Sequence, residues 1–276
     1  MALLDGKVAV VTGAGGGIGR AVALLLATEG ARVLVNDAAT GGESEQSPAE
    51  IVGGEIRQAG GVAAVSTDSV ATAEGARAIV EAARSSLGGL DVLVNCAGIL
   101  RESNFTEVSE ADLDAVLAVH VKGTLFCSQA AAQVMRSTGG RIVNTTGWAG
   151  MLGNLGRTCQ ATAEAAVYGL TRSAGIELQR HGITVNAVAP LAKTRTFAHL
   201  PAFRGVESLT AEHVAPAYLF FASPLCGDRS GHVLALAGGR ASQYRLVETA
   251  GQYRGMDQGP WTAAQIDERW DILAKL

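Results

Sequence analysis

The residues best suited to chemistry lie near the start of the chain. Lys7 to Gly19 reads KVAVVTGAGGGIG. An apolar run ends in a glycine-rich turn, and the turn opens a helix-like stretch from Ile18 to Glu29. Glycines at Gly13, Gly17 and Gly19 let backbone N–H groups come close to a pyrophosphate, and a helix N-terminus adds partial positive charge. The next apolar run, Ala31 to Asp37, ends in an acid. Asp37 is placed to accept hydrogen bonds from adenosine ribose hydroxyls, and its charge would repel a 2′-phosphate. The turn carries no Arg or Lys before Arg20, so both features predict NAD rather than NADP. In a chain with 35 glycines the turn alone decides little. The strand before it, the helix after it and the acid on the next strand set it apart from a ligand-free turn.

Positioning these groups needs an alternating framework. Apolar strand candidates are Val8–Val11, Val33–Val35, Val62–Val65, Val92–Val94, Ile142–Asn144, Ile183–Val188 and Val233–Ala237. Most are followed by a helical pattern, which predicts an α/β fold: a Rossmann-like, doubly wound parallel sheet of about seven strands with helices on both faces. Ala39–Pro48 is polar and Gly/Ser-rich and reads as a surface loop. Ser109 with Asp112 resembles a capping box opening the helix that carries His120, and Thr262 with Gln265 forms a second. Ile266, Trp270 and Leu273 line one helical face, so the C-terminal tail is expected to be an ordered helix.

The chain has 276 residues, 48% of them hydrophobic, with a net charge of -4. It is long enough for a large core, and the unbroken alternation predicts one domain over 1–276, with 238–276 as an extension packed on it or on a partner subunit. The charge and the lack of a long basic run argue against nucleic-acid binding. No run of 18 or more apolar residues and no leader pattern at Met1–Lys7 argue against a membrane role. Cys96, Cys127, Cys159 and Cys226 have no C-x-x-C spacing, so reduced thiols in a cytoplasmic protein are expected and no metal site is.

Taken together, the motifs resemble the short-chain dehydrogenase/reductase family. The resemblance is carried by TGAGGGIG at Thr12–Gly19, Asp68 after the third strand and NCAG at Asn95–Gly98, then by GNLG at Gly153–Gly156 and ITVNAVAP at Ile183–Pro190. These span nearly the whole chain in family order. VNDAATGG, VNCAGILRESNF, the His in VHVKG and the long tail are similar to the (3R)-hydroxyacyl-CoA dehydrogenase part of multifunctional enzyme type 2. The resemblance implies NAD held by Thr12, Gly13, Gly17, Ile18, Gly19, Asp37, Asp68, Asn95, Ala97, Gly98 and Pro190. It also implies an acyl-CoA ligand and an oligomer whose contacts use helices at about 111–137 and 162–180, through residues such as Ala115, Val116, Val119, Ala166 and Leu170.

The same resemblance implies a Tyr that exchanges a proton with the substrate oxygen, a Lys that lowers its pKa, a Ser that orients the oxygen and an Asn that supports a relay water. Laid on the GNLG anchor without a gap, the Tyr position falls on Gln160, the Lys on Glu164, the Ser on Gly147 and the Asn on His120. An amide does not titrate near neutral pH. Glu164 would place an anion where a cation is needed, and Gly147 offers no donor to the oxygen. Proton transfer, pKa tuning and oxygen stabilisation are lost together.

His120 has a suitable unperturbed pKa for replacement chemistry, but the resemblance sets it one helix back, within reach of substrate only through water. Its other expected role is a buried, hydrogen-bonded helix residue. Tyr168 lies about 12 Å along the helix from Gln160 at 1.5 Å per residue, and is expected at a helix face or subunit contact. Trp148 is expected in ordinary packing or in the substrate space. Glu164 retains the capacity to accept hydrogen bonds from a ribose. The leading expectation is a non-catalytic, NAD-binding subunit that pairs with itself or with an active relative. The alternatives are an atypical hydroxyacyl-CoA oxidoreductase built around His120 and an NAD-responsive regulatory protein.

Overall fold

A computed structural model describes residues 2–38, 46–194 and 209–275. Most of the loop expected at Ala39–Pro48 lies outside the described residues. Its end does not: Ser47 caps helix α2 (Pro48–Gln58) with a full capping box to Glu50, so Pro48 begins a helix. Proline suits that position because its missing N–H has no partner in the first helical turn anyway.

The body, Met1–Tyr244, is one eight-stranded sheet in the order β3-β2-β1-β4-β5-β6-β7-β8. Its strands are β1 (Val8–Thr12), β2 (Arg32–Asn36), β3 (Val62–Ser66), β4 (Val92–Asn95), β5 (Gly140–Thr145), β6 (Ile183–Leu191), β7 (Val233–Ala237) and β8 (Arg240–Tyr244). Pairings from β1 through β7 are parallel, and β8 returns antiparallel against β7. The sheet therefore has one strand more than the sequence predicts. RASQY in β8 has no apolar run to announce it, and the sheet body continues past Gly238 to Tyr244.

Side chains alternate across β1 and feed two cores. Ala9 and Val11 join α1 (Gly17–Thr28), α2 and α8 (Ala215–Ala222) on one face. Val8 and Val10 join α3 (Ala73–Leu87) and α5 (Thr124–Met135) on the other. This two-sided burial explains why the strands read as continuous apolar runs. Neighbouring β2 and β4 leave β1 in opposite directions, which opens a crevice at the carboxyl ends of the strands.

Helix α4 (Glu110–Val116) is capped by Ser109, whose hydroxyl accepts from Asp112 N–H at 3.1 Å and donates to the Asp112 carboxylate at 2.7 Å. It continues through a π-helical segment, Leu117–Gly123, into α5. The whole stretch Glu110–Met135 is long and apolar enough to cross a bilayer by composition. Its Val116, Cys127, Ala131 and Met135 are instead buried in the protein's own apolar clusters.

The tail, Arg245–Leu276, forms a second compact unit. Thr262 and Gln265 make a reciprocal capping box, but the expected single helix is broken at Arg269 into α9 (Ala263–Glu268) and α10 (Trp270–Leu273). Arg254 donates to Gln265 Oε1 at 2.7 Å, and the guanidinium groups of Arg254 and Arg269 lie 5.4 and 5.9 Å from the Trp261 ring centre.

Candidate functional site

The crevice begins where β1 turns into α1. Buried Thr12 accepts hydrogen bonds from the N–H groups of Cys96 and Ala97, both at 3.2 Å, and so ties the tips of β1 and β4 together. Gly13, at φ +64, crosses the second strand tip so closely that a Cβ would stand 2.6 Å from Ala97 Cα. Gly19 packs against the Gly13 carbonyl, where any side chain would collide. Helix α1 starts at Gly17 with no side-chain cap and no acid in its first turn. Its N–H groups are therefore arranged for an anion, and the residues fit the pyrophosphate of a dinucleotide. Ile18 anchors the turn against the first core.

The expected adenosine groups stand at adjacent strand tips. Asp37 Oδ2 accepts from Gly15 N–H at 2.8 Å, which fastens the acid to the glycine turn. Asp68 is exposed beyond β3, with its carboxylate accepting from Ser66 Oγ at 2.9 Å. Asn36 bonds the Asp68 carbonyl at 3.0 Å and holds that turn. Pro190 lies past Val188, the last β6 residue paired with β5, at the lip of the crevice. Gly98 lines the loop after β4.

Asn95 is placed differently. Its side chain is buried and donates to Asn144 Oδ1 at 2.9 Å and Ser128 Oγ at 3.1 Å. Asn144 passes the chain on to Thr171 Oγ1 at 2.9 Å. Its amide thus serves a seam between the sheet and α5 and α7 (Thr158–Glu177) rather than the crevice. Thr194 was missed by sequence reasoning: its methyl group lies 3.3 Å from where a Cβ on Gly17 would be, directly over the glycine turn. No local pattern marks it, because the contact spans the sheet.

His120 sits on the π-helical segment with Nε2 facing the backbone of Ile99, 3.0 Å from its N–H and 2.9 Å from its carbonyl oxygen. A Cβ on Gly98 would come within 2.7 Å of its ring. Burial lowers its pKa, although the backbone contact with Ile99 opposes this. His120 is a neutral clamp on the loop after β4. Cys96 lies beside Thr145, at 3.3 Å between Sγ and Oγ1, and Thr145 reaches the buried Tyr218 hydroxyl at 3.0 Å. Burial pushes the Cys96 thiol up to about 11, so it stays protonated and is a poor nucleophile.

Gly147, Gln160 and Glu164 meet in one cluster. Helix α6 (Ala149–Leu152) crosses α7 so tightly that a Cβ on Gly150 would stand 2.5 Å from Ala165 N. Glu164 enters this crossing. Its Oε2 accepts from Gly150 N–H at 3.1 Å, and its Oε1 accepts from Gln160 Nε2 at 3.1 Å. Its backbone carbonyl accepts from Thr146 Oγ1 at 2.8 Å. The carboxyl fills the space beside Gly147, and any side chain there would collide with it.

Burial raises the Glu164 pKa; the bond from Gln160, the N–H groups of Gly150 and Ala149, and the charge of Arg157 pull it back. Gln160 is 5% exposed, and its Oε1 has no partner among the described residues. Arg157 itself pairs with Glu102 at 3.1 Å, and Ser103 N–H donates to Gly156 O at 3.2 Å, joining the two loops above the crossing.

Two expected interface residues are used inside the chain. Val116 is buried against Cys159 and Ala163, and Val119 packs on the second core. Ala115, Ala166 and Leu170 are half-buried. Tyr168 packs with Ala187, Ala189, Val233 and Tyr244 against the sheet, on a helix face. Trp148 is 37% exposed, so it is not a core residue.

The family described as short chain dehydrogenase matches residues 7–202. The short-chain reductase protein NovJ of Streptomyces niveus is 44% identical over 191 residues, which is 69% of this chain and 70% of that protein. Peroxisomal multifunctional enzyme type 2 of Mus musculus is 35% identical over 98% of this chain, which spans 37% of the mouse protein's length. The crystal structure of a short chain dehydrogenase from Mycobacterium avium superposes with a TM-score of 0.88 and 37% identity, covering 98% of this chain and 95% of that one.

Proposed function

This chain belongs to the short-chain dehydrogenase family, and from that premise we propose that it is a non-catalytic member that holds NAD and pairs with an active dehydrogenase. The observation that carries the reading is the closed cluster of Gly147, Gln160 and Glu164. A site that had lost one catalytic group by chance would leave a gap. Here the replacements fit one another and occupy the space, while the cofactor turn keeps its close approaches and its uncapped helix N-terminus. NAD rather than NADP rests on Asp37 at the tip of β2. Leu125 on α5 and Ile176 on α7 are 44% and 70% exposed, and give those helices apolar surface for a partner. The acyl-CoA class of ligand rests on the likeness to the multifunctional relatives. The cytoplasmic location rests on the four unpaired thiols.

An atypical oxidoreductase built on His120 has less support, because its Nε2 is engaged with Ile99 and burial keeps the ring neutral. The test is co-expression with an active short-chain dehydrogenase from the same source, followed by affinity purification and assay. Pairing without NAD-linked turnover by this chain alone supports the proposal. Turnover by the isolated chain that is abolished by His120→Ala would replace it with the oxidoreductase reading.

A further inference from the structure

We infer that the crevice selects the oxidation state of its cofactor, taking NAD+ in preference to NADH through the carboxyl of Glu164. The inference rests on the NAD-binding reading. Asp37 and Asp68 stand at the tips of β2 and β3, and the glycine turn lies between β1 and α1. A dinucleotide laid with its adenosine half on those tips and its phosphates on the turn would carry its nicotinamide end toward the tips of β4, β5 and β6. Gly147, Gln160 and Glu164 gather on that side: Gly147 follows β5, Glu164 faces it from α7, and Gln160 on the same helix is bonded to Glu164.

The two forms of the cofactor differ most simply in charge. The oxidised nicotinamide ring carries a positive charge, and the reduced ring is neutral. The polar atoms offered by the cluster are acceptors. Glu164 presents a carboxyl, and Gln160 presents a buried carbonyl oxygen without a partner. The charged group felt by Glu164 is Arg157, whose guanidinium is paired with Glu102. His120, on the neighbouring helix, is held neutral by burial. Burial raises the Glu164 pKa, so the field favours a cation once the carboxyl has ionised, and the preference for NAD+ grows as pH rises. The low polarity of the site then strengthens it relative to a surface carboxylate. The adenosine half is identical in both forms, so Asp37 has no means of telling them apart.

The experiment is calorimetric titration of the full chain with NAD+ and with NADH, in the wild type, Glu164→Gln and Asp37→Ala. The expected result is an affinity ratio favouring NAD+ that falls by about tenfold in Glu164→Gln, a modest share of the Coulomb energy at a partly screened site. Asp37→Ala should weaken both nucleotides together and leave the ratio unchanged. Equal ratios in the wild type and Glu164→Gln, with both nucleotides bound, overturn the inference and leave the NAD-binding reading intact. Binding of neither nucleotide to the wild type overturns both. If Glu164→Gln does not fold, Glu164→Ala, which leaves room beside Gly147, provides the same comparison.

Discussion

The carboxyl of Glu164 occupies the space that any side chain at Gly147 would need. The two positions lie apart in sequence but meet where α6 crosses α7, so a side chain at Gly147 requires the Glu164 carboxyl to shift. Gly147→Ser should therefore swing the Glu164 carboxyl away from Gly150 N–H and Gln160 and destabilise the chain by about 1–2 kcal/mol, the net worth of one or two hydrogen bonds. Glu164→Ala should relieve that penalty. Chemical denaturation of both single variants and the double variant checks this through the coupling energy. Additive effects would show that the pair is not interlocked.

On the non-catalytic reading, a single substitution should not create activity. Gln160→Tyr alone should leave the chain inactive, because Glu164 beside the phenol would raise rather than lower its pKa. Gly147→Ser with Gln160→Tyr and Glu164→Lys should produce NAD-linked oxidation of a (3R)-hydroxyacyl-CoA at least about 10²-fold above the wild-type background, the usual scale of general acid–base catalysis. Absorbance of NADH follows the reaction. A folded triple variant that binds NAD but remains at background would show that the substrate pocket has also been lost.

The fold was legible because both faces of the sheet are covered, so its strands appear as apolar runs flanked by helical patterns. β8 was not, because RASQY at the sheet's edge shows no such run. Gly147, Gln160 and Glu164 were singled out from the GNLG anchor, but their arrangement was not legible there. From sequence, Glu164 reads as a group for the ribose; in the structure its carboxyl also meets Gly150 N–H and Gln160, a consequence of the helix crossing. Asn95 reads as part of the cofactor loop, yet its amide turns into the seam with Ser128 and Asn144. Backbone position follows from motifs; side-chain direction depends on contacts between segments distant in sequence.

Glu164 also makes stability depend on pH in a defined direction. Its folded pKa is raised above the unfolded carboxylate value, chiefly by burial. The folded state then binds the proton more tightly, so the contribution is fully present below the unfolded pKa and is lost as pH rises through the folded value. Glu164→Gln should flatten this slope. Denaturation midpoints measured from about pH 4 upward test it; an unchanged slope in the variant would assign the pH dependence to other groups.

His120 should produce the opposite slope. Burial lowers its folded pKa, so the unfolded chain takes up a proton that the folded chain refuses. Stability should fall as pH drops from about 6.5, the unperturbed value, toward the folded pKa. His120→Ala should remove that slope and cost about 1–3 kcal/mol, because the Ile99 N–H loses its acceptor in a partly buried place. It should weaken NAD binding as well, since Gly98 rests against the ring and the loop after β4 would lose its stop. Calorimetry on the variant separates this from a purely local effect: unchanged NAD affinity with lowered stability would confine His120 to folding.

The partner reading makes its own demand on the surface of α5 and α7. Leu125 and Ile176 are exposed, so Leu125→Asp and Ile176→Asp should each change the stability of the isolated chain by no more than about 0.5 kcal/mol. If these helices carry the interface, the same variants should weaken assembly by about 2 kcal/mol or more, because burying an unpaired carboxylate at a contact is costly. Sedimentation of the co-expressed pair distinguishes the cases. Loss of the larger species with an unchanged melting temperature for the single chain places the partner on α5 and α7. Retention of the complex in both variants would move the interface elsewhere on the body or onto the tail.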